Sequence, residues 1–125
     1  MTGERFGTAV NCMDGRTQNP VSTYIKTRFA VDYVDTITEP GPEGILVNGP
    51  SEAVASIRAR VAISVEKHGS KVIAVVAHHD CAGNPVSKDQ HLEQVRQAAD
   101  VIRSWGYDAE VLALWVGPDW AVQVV

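Results

Sequence analysis

The chain lacks any apolar run approaching the ~20 residues that a membrane-spanning helix needs, and no signal-like apolar stretch follows Met1-Thr2-Gly3-Glu4-Arg5. No membrane association is expected, and the expected location is the cytoplasm. Cysteine is scarce, with two among 125 residues. In a reducing compartment such a pair is expected to be free, catalytic or metal-bound rather than bridged. Positive charge is also thin: 11 Lys and Arg stand against 15 Asp and Glu, for a net charge of -4. The basic residues are scattered, which argues against a nucleic-acid or anionic-membrane surface and for a small-molecule substrate. No internal repeat, low-complexity tract or interdomain linker interrupts the pattern. Residues 1–125 therefore read as a single domain, large enough to bury about two thirds of its unfolded surface without a metal merely to fold.

What is present is an ordinary globular composition, 45% hydrophobic and 21% charged, organised around one stretch. Val72 to Ala77 is a short β-branched apolar run, as expected of a strand covered on both faces. It ends abruptly in His78-His79-Asp80-Cys81. A second short apolar stretch, Phe6 to Val10, runs into Asn11-Cys12-Met13-Asp14-Gly15-Arg16, which holds the other cysteine. Both cysteines thus fall just past predicted strands. In open α/β sheets the carboxyl ends of the strands line the crevice where ligands bind, so two such ends can bring Cys12, His78 and Cys81 together.

The remaining elements follow from local signals. Asn19-Pro20 can open a helix reaching about Arg28, with Tyr24, Ile25 and Phe29 as a partial apolar face. Tyr33 to Ile37 reads as a second strand, ended by Thr38-Glu39-Pro40-Gly41-Pro42, where the chain is expected to turn. Val54, Ile57, Val61 and Val65 recur at helical spacing between Ser51 and His68, and Gly69 is placed to end that helix. Ser87 with Gln90 three residues on is a capping-box signature for a helix from Lys88 to Trp105, whose stripe is Leu92, Val95, Ala99 and Ile102. Ala109 to Val116 is a further buried strand. Trp120 to Val125, after the Gly117-Pro118-Asp119 turn, reads as an edge strand or a contact with a partner subunit. The alternation predicts a three-layer α/β/α fold on a mainly parallel sheet of four or five strands, core order 2-1-3-4.

Cys12, His78 and Cys81 offer the thiolate and imidazole donors that zinc accepts, and three protein ligands leave a fourth position open to water. His-x-x-Cys alone is a weak signal; it gains weight from the strand-terminal Cys-x-Asp-x-Arg. The bland alternative is two small buried core cysteines and a histidine that merely hydrogen-bonds in a loop. A structural zinc would ordinarily show four Cys or His ligands. His79 is the nearest fourth candidate, but neighbouring side chains usually point apart. His68 and His91 fall on helices and are expected at the surface or in caps.

Cys12-Met13-Asp14-Gly15-Arg16 together with His78-His79-Asp80-Cys81 resembles the two signature motifs of the β-class carbonic anhydrases. The resemblance implies Cys12, His78 and Cys81 as zinc ligands and Asp14 with Arg16 as the family's Asp-Arg dyad. It implies hydration of carbon dioxide to bicarbonate by a zinc-bound hydroxide, with Asp14 orienting that group and Arg16 holding Asp14 off the metal. It also suggests a homodimer or higher homo-oligomer, to which Tyr24, Ile25, Phe29, Trp120, Val122, Val124 and Val125 would contribute apolar surface. The chain departs from the family in two places. Thr38 to Pro42 stands where members carry Arg-Asn-Ala-Gly, so part of the substrate pocket differs, and Ala82-Gly83 stands where Gly-Gly is common. Two other functions stay open: hydrolysis of another small electrophile such as carbon disulfide, and a non-catalytic zinc-containing binding domain.

Overall fold

Every residue of β3 (Val72–His78) is buried, and a strand apolar on both faces must lie inside a sheet that is covered on both sides. In the computed structural model, which describes residues 4–125, β3 pairs in parallel with β1 (Phe6–Cys12) and with β4 (Glu110–Val116). β1 pairs onward, also in parallel, with β2 (Tyr33–Glu39), while β5 (Val122–Val124) adds antiparallel to β4. The order β2-β1-β3-β4-β5 matches the expected fold, with β5 as its edge strand. Met1 to Gly3, part of the segment read for a leader, lie outside the described residues. Among the described residues no helix is long and apolar enough to cross a membrane.

The pleat of β3 divides the core. Ile73, Val75 and Ala77 pack with Ile57 and Val61 of α3 (Ser51–Ala62) and with Val95, Ala98 and Ile102 of α4 (Lys88–Arg103). Val72, Ala74 and Val76 face the other way, onto Val21 and Ile25 of α1 (Gln18–Phe29). Each fully buried Val or Ile contributes about 1.5–3 kcal/mol relative to exposure, so both layers are anchored through this strand. The chain enters α1 from β1 on one face and α4 from β3 on the other. The carboxyl ends of β1 and β3, side by side, therefore form the switch point of the sheet.

Local chemistry fixes the ends of the elements. The capping box of α4 forms in full: the Gln90 N–H donates to Ser87 Oγ at 3.2 Å, and the Ser87 N–H donates to Gln90 Oε1 at 3.1 Å. The helix expected from Ser51 to His68 stays α-helical only to Ala62, then widens into a π-helical turn, Ile63–Lys67. There Ser64 is buried, 2.6 Å from Thr8 Oγ1 and 2.7 Å from Asp35 Oδ2.

Three expectations need correction. Thr38 and Glu39 do not end β2: they pair with Asn11 and Cys12, because an edge strand bonded on one side tolerates the proline that follows. Cys12 is consequently the last residue of β1 rather than just beyond it. Pro42 does not close a bare turn but starts a short helix, α2 (Pro42–Asn48), its ring at the first turn where no N–H is missed. His91 is not at the surface. It is 2% exposed, packed against the Trp115 ring, and its Nδ1 lies 3.0 Å from Glu43 Oε1 on α2. His68 behaves as expected, partly exposed at the helix end and 2.6 Å from Asp35.

Candidate metal centre

Cys12 ends β1, His78 ends β3, and Cys81 follows three residues later, after Asp80 turns the chain with a left-handed φ of 60°. All three side chains are buried, and one ligand atom from each lies within 4.8 Å of the others. The two sulfurs are 3.9 Å apart and both thiols are free. That separation is far beyond a disulfide bond, and it is close to the ~3.8 Å edge of a tetrahedron around an ion with ~2.3 Å bonds to sulfur.

The histidine supplies the sharper test of fit. His78 Nδ1 lies 2.7 Å from the His79 carbonyl oxygen, which can only accept, so Nδ1 carries the proton. Nε2 is left as a lone pair, buried and with no hydrogen-bond partner. An orphaned buried acceptor beside two thiols costs free energy unless something cationic fills the space between them. The donor set, its geometry and its orphaned nitrogen fit zinc. His79, the alternative ligand, is exposed and is not part of the group that these three form.

The electrostatics point the same way. The Cys12 thiol is held well below the ordinary thiol range, chiefly because Cys81 donates to its sulfur, with the neighbouring His78 and the nearby main chain of Gly41 and Asp14 assisting against burial. Cys81 is pushed up by the same contact, by burial and by the charges of Cys12 and Glu43, against a favourable influence of the nearby Asn84 main chain. Burial opposes charge on His78, but the neighbouring Cys12 sulfur, the His79 carbonyl and the charge of Asp14 prevail and raise its pKa. The cluster attracts positive charge, and protons compete with a metal ion for it.

Asp14 and Arg16 stand beside this cluster in the loop after β1. Arg16 Nη2 donates to Asp14 Oδ2 at 2.7 Å and Nε to Oδ1 at 3.1 Å, while the Arg16 N–H adds a bond to Oδ1 at 2.9 Å. This grip lowers the Asp14 pKa from 3.8 to about 2. The guanidinium is itself braced, by Asp80 at 3.3 Å and by the Trp120 ring, whose centroid is 4.5 Å away. Neither brace was legible beforehand: Trp120 gave only an apolar terminal signal, and Asp80 looked like one member of a polar run. A cavity of about 190 Å³ opens at the site, lined by Cys12, Met13, Asp14, Pro40, Ala82 and Gly83.

The chain matches, over residues 2–125, the model of the family described as "Putative carbonic anhydrase". No curated protein matches it. Among solved structures it is similar to a carbonic anhydrase from Glaciozyma antarctica, with 14% identity, TM-score 0.63, and coverage of 98% of this chain and 82% of that one. The tetrameric β-carbonic anhydrases of Sordaria macrospora give 12% identity and the same TM-score over 98% and 80% of the two chains. A carbonic anhydrase from Streptococcus mutans gives 15% identity and a TM-score of 0.52 over 94% and 80%. At these identities the structures establish a shared fold.

Proposed function

The chain belongs to the carbonic anhydrase family, with the β-class fold, and from that premise we propose that it is a zinc-dependent lyase hydrating carbon dioxide reversibly to bicarbonate and a proton. The observation that carries this reading is the buried, partnerless Nε2 of His78 beside the paired sulfurs of Cys12 and Cys81. Those three residues would hold the metal. Zinc supplies a Lewis acid that lowers the pKa of a coordinated water toward ~7 and so makes a nucleophile for an electrophilic carbon.

The protein's own groups do the rest. Arg16 satisfies both Asp14 oxygens and keeps that carboxylate from becoming a fourth donor to the metal. Held in this way, Asp14 can accept a hydrogen bond from a water in the cavity and fix its orientation. Apart from Cys12 and Asp14 the cavity is lined by Met13, Pro40, Ala82 and Gly83, which suits a small uncharged substrate. The same apolar lining favours a second reading, hydrolysis of carbon disulfide or another small heterocumulene.

A homodimer or a multiple of one accompanies this proposal, since the Sordaria macrospora relatives are described as tetrameric and Met13, Tyr33, Ile63 and Val124 are large exposed apolar residues. Ile25, named above for such a surface, is wholly buried against β3, and Tyr24, Phe29, Trp120 and Val122 pack partly onto that same core. A reducing, cytoplasmic setting goes with the site, because oxidation of two free thiols 3.9 Å apart would remove both donors.

Stopped-flow measurement of carbon dioxide hydration, before and after chelation and after zinc is restored, tests the reading. Hydration that is lost and regained with zinc supports it. A fully zinc-loaded protein that leaves the uncatalysed rate unchanged would refute it, and carbon disulfide would then be the next substrate to assay.

A further inference from the structure

Behind Cys81 lies a buried polar network that the proposed chemistry does not use. Glu43 on α2 is 1% exposed, and its Oε1 accepts from Asn84 Nδ2 at 2.7 Å with His91 Nδ1 at 3.0 Å. The same Asn84 amide donates to Gln94 Oε1 at 2.7 Å. Asn84 is thus gripped from α2 and α4 at once, three residues beyond Cys81 on the same loop. Its side chain sits in a slot that only glycines leave open. A Cβ on Gly41 would fall 2.6 Å from Asn84 Cβ, and one on Gly44 would fall 3.1 Å from the Asn84 amide. Gly83 is pressed equally hard from the other side, its added Cβ 2.5 Å from the Pro40 carbonyl carbon.

The two segments that meet here flank the two sulfurs: Pro40, Ala82 and Gly83 line one cavity with Cys12, and Asn84 follows Cys81 by three residues. We propose that Asn84, seated between Gly41 and Gly44 and held by Glu43, His91 and Gln94, is a positioning residue that fixes the Cys81 sulfur at its working distance from Cys12. Glu43 acts through Asn84, and His91 orients Glu43. This inference rests on the reading that Cys12, His78 and Cys81 hold zinc. It assigns a role to the segment from Thr38 onward that differs from the family pattern.

The test is zinc affinity by chelator competition, with the sulfur-to-metal absorption of the cobalt-substituted protein as the spectroscopic readout. Outer contacts that orient a metal ligand are worth about 10- to 100-fold in affinity, so Asn84→Ala should weaken zinc by that factor and shift the cobalt band. Glu43→Gln, which keeps an acceptor oxygen toward Asn84, should recover most of the affinity, while Glu43→Ala should not. Gln94→Ala removes one bond to Asn84 and should cost about three- to tenfold. That variant, on a partly exposed residue, decides the matter if Asn84→Ala does not fold. Wild-type affinity and an unchanged cobalt band in a folded Asn84→Ala or Gln94→Ala would overturn the proposal and leave the network as scaffold alone. A wild-type protein that takes up no zinc would instead remove the reading beneath it, an outcome visible before any variant is made.

Discussion

Arg16→Ala separates metal binding from chemistry. In the native loop the guanidinium donates to both Asp14 oxygens, at 2.7 and 3.1 Å, and is backed by Asp80 and Trp120. Truncation removes all of these and leaves the carboxylate one bond, from the main-chain N–H of residue 16 to Oδ1 at 2.9 Å. The carboxylate can then rotate toward the ligand cluster two residues away and take the position that water needs. A misplacement of about 1 Å at such a group costs on the order of 100-fold in rate. The zinc donors themselves are untouched, so metal content should stay at the wild-type value.

Stability should change little, because an exposed ion pair contributes weakly; the melting temperature should fall by no more than about 4 °C. The sign with pH is set by Asp14, whose pKa is depressed from 3.8 to about 2 in the folded state. Its contribution is fully present above the unfolded value and disappears as the pH falls through the folded one, so the variant and the wild type should converge in stability below about pH 2. Metal analysis, stopped-flow hydration and thermal melts on the same preparation give all three quantities. An Arg16→Ala protein with full activity would reduce the dyad to a loop salt bridge and refute the reasoning.

Other substitutions test the remaining parts of the site. Cys12→Ser, His78→Ala and Cys81→Ser should each lose most bound zinc by metal analysis while His79→Ala keeps it; the reverse pattern for the two histidines would mean the wrong ring has been assigned. Two thiolates neutralise the zinc dication, so its water should ionise less readily than on a site of three neutral imidazoles, and hydration should rise on the alkaline side of neutrality. A rate maximum well below neutrality would contradict that. Gly83→Ala forces a methyl against the Pro40 backbone at 2.5 Å, an overpacking that should cost about 1–3 kcal/mol in urea unfolding. No change in the unfolding midpoint would mean that the two loops are looser than the structure has them.

The framework was legible because its signals are strong and local. Val72 to Ala77 is apolar on both faces, Ser87 and Gln90 form the box their spacing implied, and strand–helix alternation allows few sheet orders. That Cys12, His78 and Cys81 come together was equally legible, since strand ends in a parallel sheet converge at the switch point and both cysteines sat there. The segment between β2 and α3 was not. Pro40, Gly41 and Pro42 carry turn signals, and seven residues are too few for helical periodicity to speak against them, so α2 was read as part of a turn. With α2 missed, Glu43 had no place, and without Glu43 there was no partner that would let a polar His91 be buried. Burial of an ionisable pair is a tertiary fact, set by what packs opposite, and periodicity along one chain segment does not carry it.

X-ray absorption at the zinc edge of the purified protein tests the central claim most directly, because it reads the donor set itself. Cys12, His78 and Cys81 with one water predict two sulfur neighbours at ~2.3 Å and two nitrogen or oxygen neighbours at ~2.0–2.1 Å. A spectrum with a second imidazole, or with fewer or more than two sulfurs, would mean that the ends of β1 and β3 do not build the open zinc centre described here.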